Sequence, residues 1–177
     1  MPPAATIWGM SCAASSCAAA PRSQAPRVVV QTHDFDLSAE VAALRAQDAG
    51  VGAVCTFVGT VRDRNEGEAV SAMELEHYPG MTEKSIEAII DRAVARFGIH
   101  AARVIHRVGP LLPKDQIVLV AVTSAHRGMA FQACEFIMDY LKSEAPFWKK
   151  EQTPQGARWV DARVSDEQAL ARWEAPV

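Results

Sequence analysis

The stretch DYLKSEAPFWKKE, Asp139 to Glu151, gathers Lys142, Lys149 and Lys150 around a proline and two aromatics. Pro146 inside a continuing helix costs ~3 kcal/mol and pushes Ala145 into an extended conformation. The helix expected upstream therefore ends near Lys142 or Ser143. A cation in the last helical turn gains ~0.3–1 kcal/mol against the helix dipole, and that alone accounts for Lys142. Lys149 asks for more. With Phe147 and Trp148 anchored in the apolar body, the chain leaves the bend in a fixed direction, and Lys149 can return towards Lys142. Two neighbouring ammonium groups disfavour each other's charge unless an anion lies between them. Such a pair holds a phosphate or carboxylate, or supplies a lysine that exchanges protons near neutral pH. Lys150 is expected to point the other way.

Two further segments could serve an anion. In TSAHRG (123–128) the polar end of an apolar strand meets the start of a helix, whose free N–H groups favour negative charge. His126 and Arg127 would add a switchable and a permanent donor there, although a lone His-Arg pair is more often a surface feature. In FVGTVRD (57–63), Arg62 stands where a buried strand emerges, and a guanidinium can grip a phosphate through two parallel hydrogen bonds. An ordinary ion pair with Asp63 or Glu66 explains it as well. Between Tyr140 and Val164 the bases Lys142, Lys149, Lys150, Arg158 and Arg163 outnumber Glu144, Glu151 and Asp161. That modest excess suits a pocket, not a polymer-binding surface. The chain has no G-x-G-x-x-G, Walker loop, H-E-x-x-H or G-x-S-x-G, so hydride transfer, zinc hydrolysis and triad chemistry have no support.

The elements that must position these residues read as an α+β domain with helices on a largely antiparallel sheet. RVVVQT predicts a strand. SAEVAALRAQDAG predicts a helix with Ser38 as N-cap and Gly50 as its stop. GAVCTFVGTVR (52–62) and AVSAMELEHY (69–78) read as an antiparallel hairpin with the charged tip RDRNEGE. Helical spacing of Ile86, Ile89, Ile90, Ala93, Val94 and Phe97 follows, with Gly98 as the stop. Strands at 102–109 and 116–124 are joined by the turn PLLPKD. The second is apolar on both faces, hence central. The next helix carries a core stripe of Ala130, Cys134, Ile137 and Leu141, and GARWVDARV has strand character.

At 177 residues, the chain suits one domain with a tail. Residues 1–26, rich in Ala, Ser and Pro, read as a disordered extension, and 27–177 as the domain. The net charge of −3 argues against a general nucleic-acid binder. No apolar run reaches the ~18 residues of a membrane span. The cysteines, Cys12, Cys17, Cys55 and Cys134, include no C-x-x-C pair and no zinc-like spacing. Cys55 and Cys134 are expected to pack as small hydrophobes in a reducing, cytoplasmic setting. Neither a metal nor another cofactor is implied.

The motifs LEHYPGMTEKSIEAIIDRA, VIHRVGPLLPKDQIVLVAVTSAHRGMAF and FIMDYLKSEAPFWKKE together resemble the large, catalytic subunit family of molybdopterin synthase. The likeness runs from about Arg27 to Trp173, and the Ala-rich extension stands outside it. It implies an α/β hammerhead-type domain with an additional antiparallel β subdomain. It also implies a sulfurtransferase that turns cyclic pyranopterin monophosphate into molybdopterin by forming a dithiolene. The sulfur donor would be a small ubiquitin-like subunit bearing a C-terminal thiocarboxylate, and a homodimer of large subunits would bind two of these as a heterotetramer. Carried over by motif, Lys142 and Lys149 are the catalytic candidates. Arg62, His126 and Arg127 would hold phosphate and pterin, the last two from the partner large subunit. Thr60, Val61, Lys150 and Glu151 would line the pocket, and Arg163 would touch the phosphate. The competing readings are a non-catalytic phosphopterin- or nucleotide-binding module, and a persulfide carrier built on Cys134.

Overall fold

The computed structural model of the chain describes residues 25–65, 67–160 and 169–173. In chain order the elements are β1 (Val28–Gln31), α1 (Leu37–Arg45), β2 (Ala53–Thr60), β3 (Arg64–Asn65), β4 (Glu68–Ala69) and β5 (Ala72–His77). They continue with α2 (Met81–Phe97), β6 (Ala101–Arg107), β7 (Gly109–Leu111), β8 (Gln116–Ser124), α3 (Arg127–Glu144), β9 (Phe147–Thr153) and β10 (Gly156–Val160). Nearly all of the Ala-rich extension, and Arg163, lie outside the described residues.

Among the described residues there are two four-stranded sheets. The first has the order β1-β6-β8-β2 and the second β10-β9-β5-β7, while β3 and β4 form a separate small hairpin. The fold is α+β, with a single parallel pairing, β1 against β6, in an otherwise antiparallel arrangement. β8 is central as its composition requires. Val118, Val120 and Val122 face α2 and α3, while Leu119 and Ala121 face the α1 side. The expected stripe of α3 is buried at Ala130, Cys134, Ile137 and Leu141. Burying side chains the size of Ile137 and Leu141 stabilises by ~1.5–3 kcal/mol each, and the smaller Ala130 by less.

Four expectations are corrected. The cap of α1 is Asp36, whose carboxylate accepts from the backbone N–H groups of Ser38 and Ala39. The helix begins at Leu37, so Ser38 lies inside its first turn and Asp36 stands at the capping position. The strands 52–62 and 69–78 do not pair with each other. β2 pairs with β8, β5 pairs with β7 and β9, and the polar tip folds into its own β3–β4 hairpin. The connection PLLPKD is not only a turn, since Gly109–Leu111 pairs with β5. Phe147 alone anchors the bend, because Trp148 is 48% exposed.

The bend itself follows the local rule. α3 runs to Glu144, two residues beyond Lys142, and Ala145 is extended at φ −78°, ψ 127° before Pro146. Phe147 then stacks on His106 of β6 at 3.8 Å between ring centroids, joining the two sheets. His106 is buried, and its Nδ1 lies 2.8 Å from the Arg107 carbonyl, so the neutral ring donates from Nδ1. Burial pushes His106 down to about 4, against that hydrogen bond and helped by nearby His77.

That shift gives the fold a pH dependence of definite sign. Above ~6.5 the ring is neutral folded or unfolded, and between ~6.5 and about 4 only the unfolded chain takes the proton. Urea unfolding should therefore show stability falling by up to about 3 kcal/mol over that window. In His106→Phe this part of the slope should disappear.

Candidate functional site

Strand β2 ends in an irregularity. The register against β8 shifts between Gly59 and Thr60, and a Cβ on Gly59 would come within 2.9 Å of the Val118 side chain. A bulge re-aims the residues after it. Thr60, Val61 and Arg62 consequently turn into a cavity of about 150 Å³, completed by Arg64, Asn65, Lys149, Glu151 and apolar residues from β5 and β8.

At the wall of this cavity lies Glu151, only 2% exposed. Strand alternation puts Lys149 and Glu151 on one face of β9, and the lysine Nζ is 2.6 Å from Glu151 Oε1. Asn65 Nδ2 donates towards both carboxylate oxygens, at 3.1 and 3.0 Å. Arg158, opposite Glu151 in the β9–β10 register, brings Nη2 to 3.5 Å of Oε2 and pairs through Nη1 with Glu68 of β4 at 3.1 Å. Burial by itself would raise the Glu151 carboxyl. The bonds from Lys149 and Asn65, with the charges of Lys149 and Arg158, outweigh it and hold the group below the usual carboxylate range. The result is a cation-rimmed hollow, Arg62, Arg64 and Lys149, fixed by one buried anion. It can take a phosphate.

Lys142 lines a different hollow. It sits at the end of α3 beside an open cleft of about 440 Å³, whose walls include Phe57, Phe131, Cys134 and Met138. Among the described residues Lys142 and Lys149 line separate hollows, whereas the bend suggested one shared cavity. Their hollows are nonetheless neighbours on β2. Phe57 lines the cleft and Thr60 the cavity, three residues or ~10 Å apart along a strand. β2 is also the edge of its sheet. A cleft beside an open strand edge suits an extended peptide.

His126 and Arg127 lie at the other end of α3, His126 as its extended N-cap residue. Fifteen residues of helix separate Arg127 from Lys142, ~22 Å at 1.5 Å per residue. One protomer therefore cannot bring this pair to its own lysine cluster. Lys150 faces away, with its Nζ 5.4 Å from the Trp159 ring centroid on the opposite side of β9, so it does not line the cavity. Cys55 and Cys134 are free thiols on the cleft wall, and burial, helped by nearby Cys55, pushes Cys134 up to about 12. A thiol held so firmly protonated is a poor sulfur carrier.

Sequence reasoning missed Asn65, Arg64 and the role of Arg158. Asn65 sits between two charged residues in a short polar hairpin, and no local pattern ties it to a carboxylate 86 residues away. Among the described residues no helix is long and apolar enough to cross a membrane, and no cluster of three or more His, Cys, Asp or Glu is placed to hold a metal ion.

The comparisons with known proteins agree on a single family. Residues 30–144 match the family model described as MoaE protein. The molybdopterin synthase catalytic subunit of Ralstonia nicotianae is 70% identical over 148 residues, covering 84% of each chain. That of Escherichia coli is 54% identical over 147 residues, 83% of this chain and 97% of the other. Among solved structures, the molybdopterin biosynthesis MoaE protein from Burkholderia ambifaria has a TM-score of 0.74 at 59% identity, covering 86% of this chain and 100% of that one. The molybdopterin synthase of Staphylococcus aureus has a TM-score of 0.70 at 30% identity, covering 75% and 96%.

The Glu151 arrangement makes a stability prediction. Glu151→Gln leaves two cations facing a neutral amide and should destabilise the fold at pH 7 by on the order of 3 kcal/mol. The folded carboxyl titrates below its unfolded value of ~4.3, so this advantage is complete above ~4.3 and fades as the pH falls through the depressed value. Urea titrations of both proteins at pH 7 and pH 3 should show the gap closing in acid.

Proposed function

The chain belongs to the MoaE protein family, and we propose on that footing that it is the catalytic, large subunit of a molybdopterin synthase. It converts cyclic pyranopterin monophosphate into molybdopterin by installing a dithiolene. Each sulfur arrives as the thiocarboxylate at the C-terminus of a small ubiquitin-like subunit, and a dithiolene takes two. The observation that carries this reading is the cavity where Arg62, Arg64 and Lys149 converge beside buried Glu151.

The geometry supports a division of labour. Arg62 holds the substrate phosphate by charge-assisted bonds, each worth ~1.5–3 kcal/mol, and Lys149 beside it exchanges protons with the substrate. Thr60 and Val61 shape the floor, and Glu151 orients Lys149. The small subunit's tail lies along the cleft by Phe57 and Met138, its thiocarboxylate reaching Lys142. Lys142 stabilises charge on the acyl carbon and moves protons as sulfur departs. His126 and Arg127 act on the site of a second copy, as the length of α3 requires. The large subunits thus form a central dimer, with a small subunit at each end. Arg163 joins the phosphate contacts, and Lys150 stays outside the cavity. The reaction is placed in the cytoplasm.

Reconstitution tests this reading. Purified chain, thiocarboxylated small subunit and the cyclic precursor should yield molybdopterin, and Lys142→Ala should abolish product while leaving the unfolding midpoint within ~0.5 kcal/mol, as for other exposed positions. Near-normal turnover by that variant would contradict the assignment.

A further inference from the structure

The bond between Lys149 and Glu151 raises a difficulty for the reaction. An ammonium 2.6 Å from a buried carboxylate is held as a closed ion pair, and a group that must exchange protons with a substrate cannot be locked in this way. The remaining partners of Glu151 bear on this. Asn65, 4% exposed on β3, spans both carboxylate oxygens, and Arg158 approaches Oε2 from β10. These donors belong to two separate hairpins, which are tied to each other again by Glu68 and Arg158.

We propose that Asn65 and Arg158 are positioning residues for sulfur transfer: by sharing the charge of Glu151 they weaken the closed pair enough for Lys149 to turn to the substrate. The proposal rests on the reaction assigned above and extends it to two residues that act through Glu151. A carboxylate already satisfied by an amide and a guanidinium loses little when the ammonium turns to the substrate. The fully charged surroundings are Arg62 from the end of β2, Arg64 from β3 and Arg158 from β10, with Glu68 behind Arg158. From β5 the neighbours are apolar, since Met73 and Leu75 stand opposite Glu151 and Lys149. Ile117 closes the cavity from β8. No other carboxylate among the described lining residues competes for the lysine.

The direction of the effect does not depend on whether Lys149 gives or takes the proton. Without Asn65 the charge of Glu151 is less shared, and it attracts the Lys149 ammonium more strongly. Without Arg158 a competing cation and its repulsion are both removed, with the same sign. The limb of the pH–rate profile governed by Lys149 then moves to higher pH in every case.

The test is the pH profile of molybdopterin formation by the full chain with thiocarboxylated small subunit, for wild type, Asn65→Ala, Asn65→Asp and Arg158→Gln. The expected result is a limb displaced upward by roughly one pH unit in Asn65→Ala and Arg158→Gln, and further in Asn65→Asp, which adds a carboxylate. Turnover at neutral pH should fall roughly tenfold to a hundredfold, as small misplacements of reacting groups do. A merely structural role would lower the amplitude at all pH values and leave the profile's position unchanged, and that outcome overturns the proposal. Arg158 lies on a partly exposed hairpin, so Arg158→Gln decides the matter should the Asn65 variants not fold. If wild type itself yields no product, the assigned reaction fails first and the proposal falls with it, an outcome distinct from an active wild type with unmoved variants.

Discussion

A carboxylate removed from water must find cations and donors or become neutral, and Glu151 is satisfied by three groups from three strands. Everything around the candidate site depends on that constraint. It draws the β3–β4 hairpin down onto β9 and recruits β10 through Arg158. It also sets Lys149 at the cavity mouth with its amine already directed. A hydrophobic residue at 151 could pack as well or better. What it could not do is hold an ammonium at one place in a cavity that must also receive an anion.

The second organising feature is the length of α3. Its C-terminal end carries Lys142 towards the end of β2, next to the cavity, while its N-terminal end carries His126 and Arg127 ~22 Å away. Cation-bearing ends of one helix become useful to one site only if two chains stand side by side in opposite senses. A symmetric dimer does this without any further element. The cleft along β2 combines a strand edge with an apolar wall, the surface an extended peptide needs.

Much of this was legible in the sequence. The stripe of α3, the central place of β8, and the bend at Pro146 followed from periodicity and proline geometry, which are local. Arg62 and Lys149, singled out for their types and places at strand ends, both line the cavity at the end of β2. Among the described residues Lys142 and Lys149 line two neighbouring hollows and not the single one expected, since a bend fixes a direction but not which part of β2 each amine meets. The 52–62 and 69–78 hairpin failed for a related reason. Adjacent strands in the chain usually pair, but β2 finds more apolar area against β8, and β5 is captured by β9. Asn65 escaped notice because its partner lies 86 residues on, and long-range polar contacts leave no periodic trace.

The measurement that bears most directly on the central role of Glu151 is single-turnover molybdopterin formation by Glu151→Gln, under conditions where that protein is shown by circular dichroism to be folded and by titration to bind the small subunit. The account predicts a rate at least roughly a hundredfold below wild type, because Lys149 loses the anion that places it. A folded, small-subunit-binding Glu151→Gln protein that turns over at the wild-type rate would contradict it.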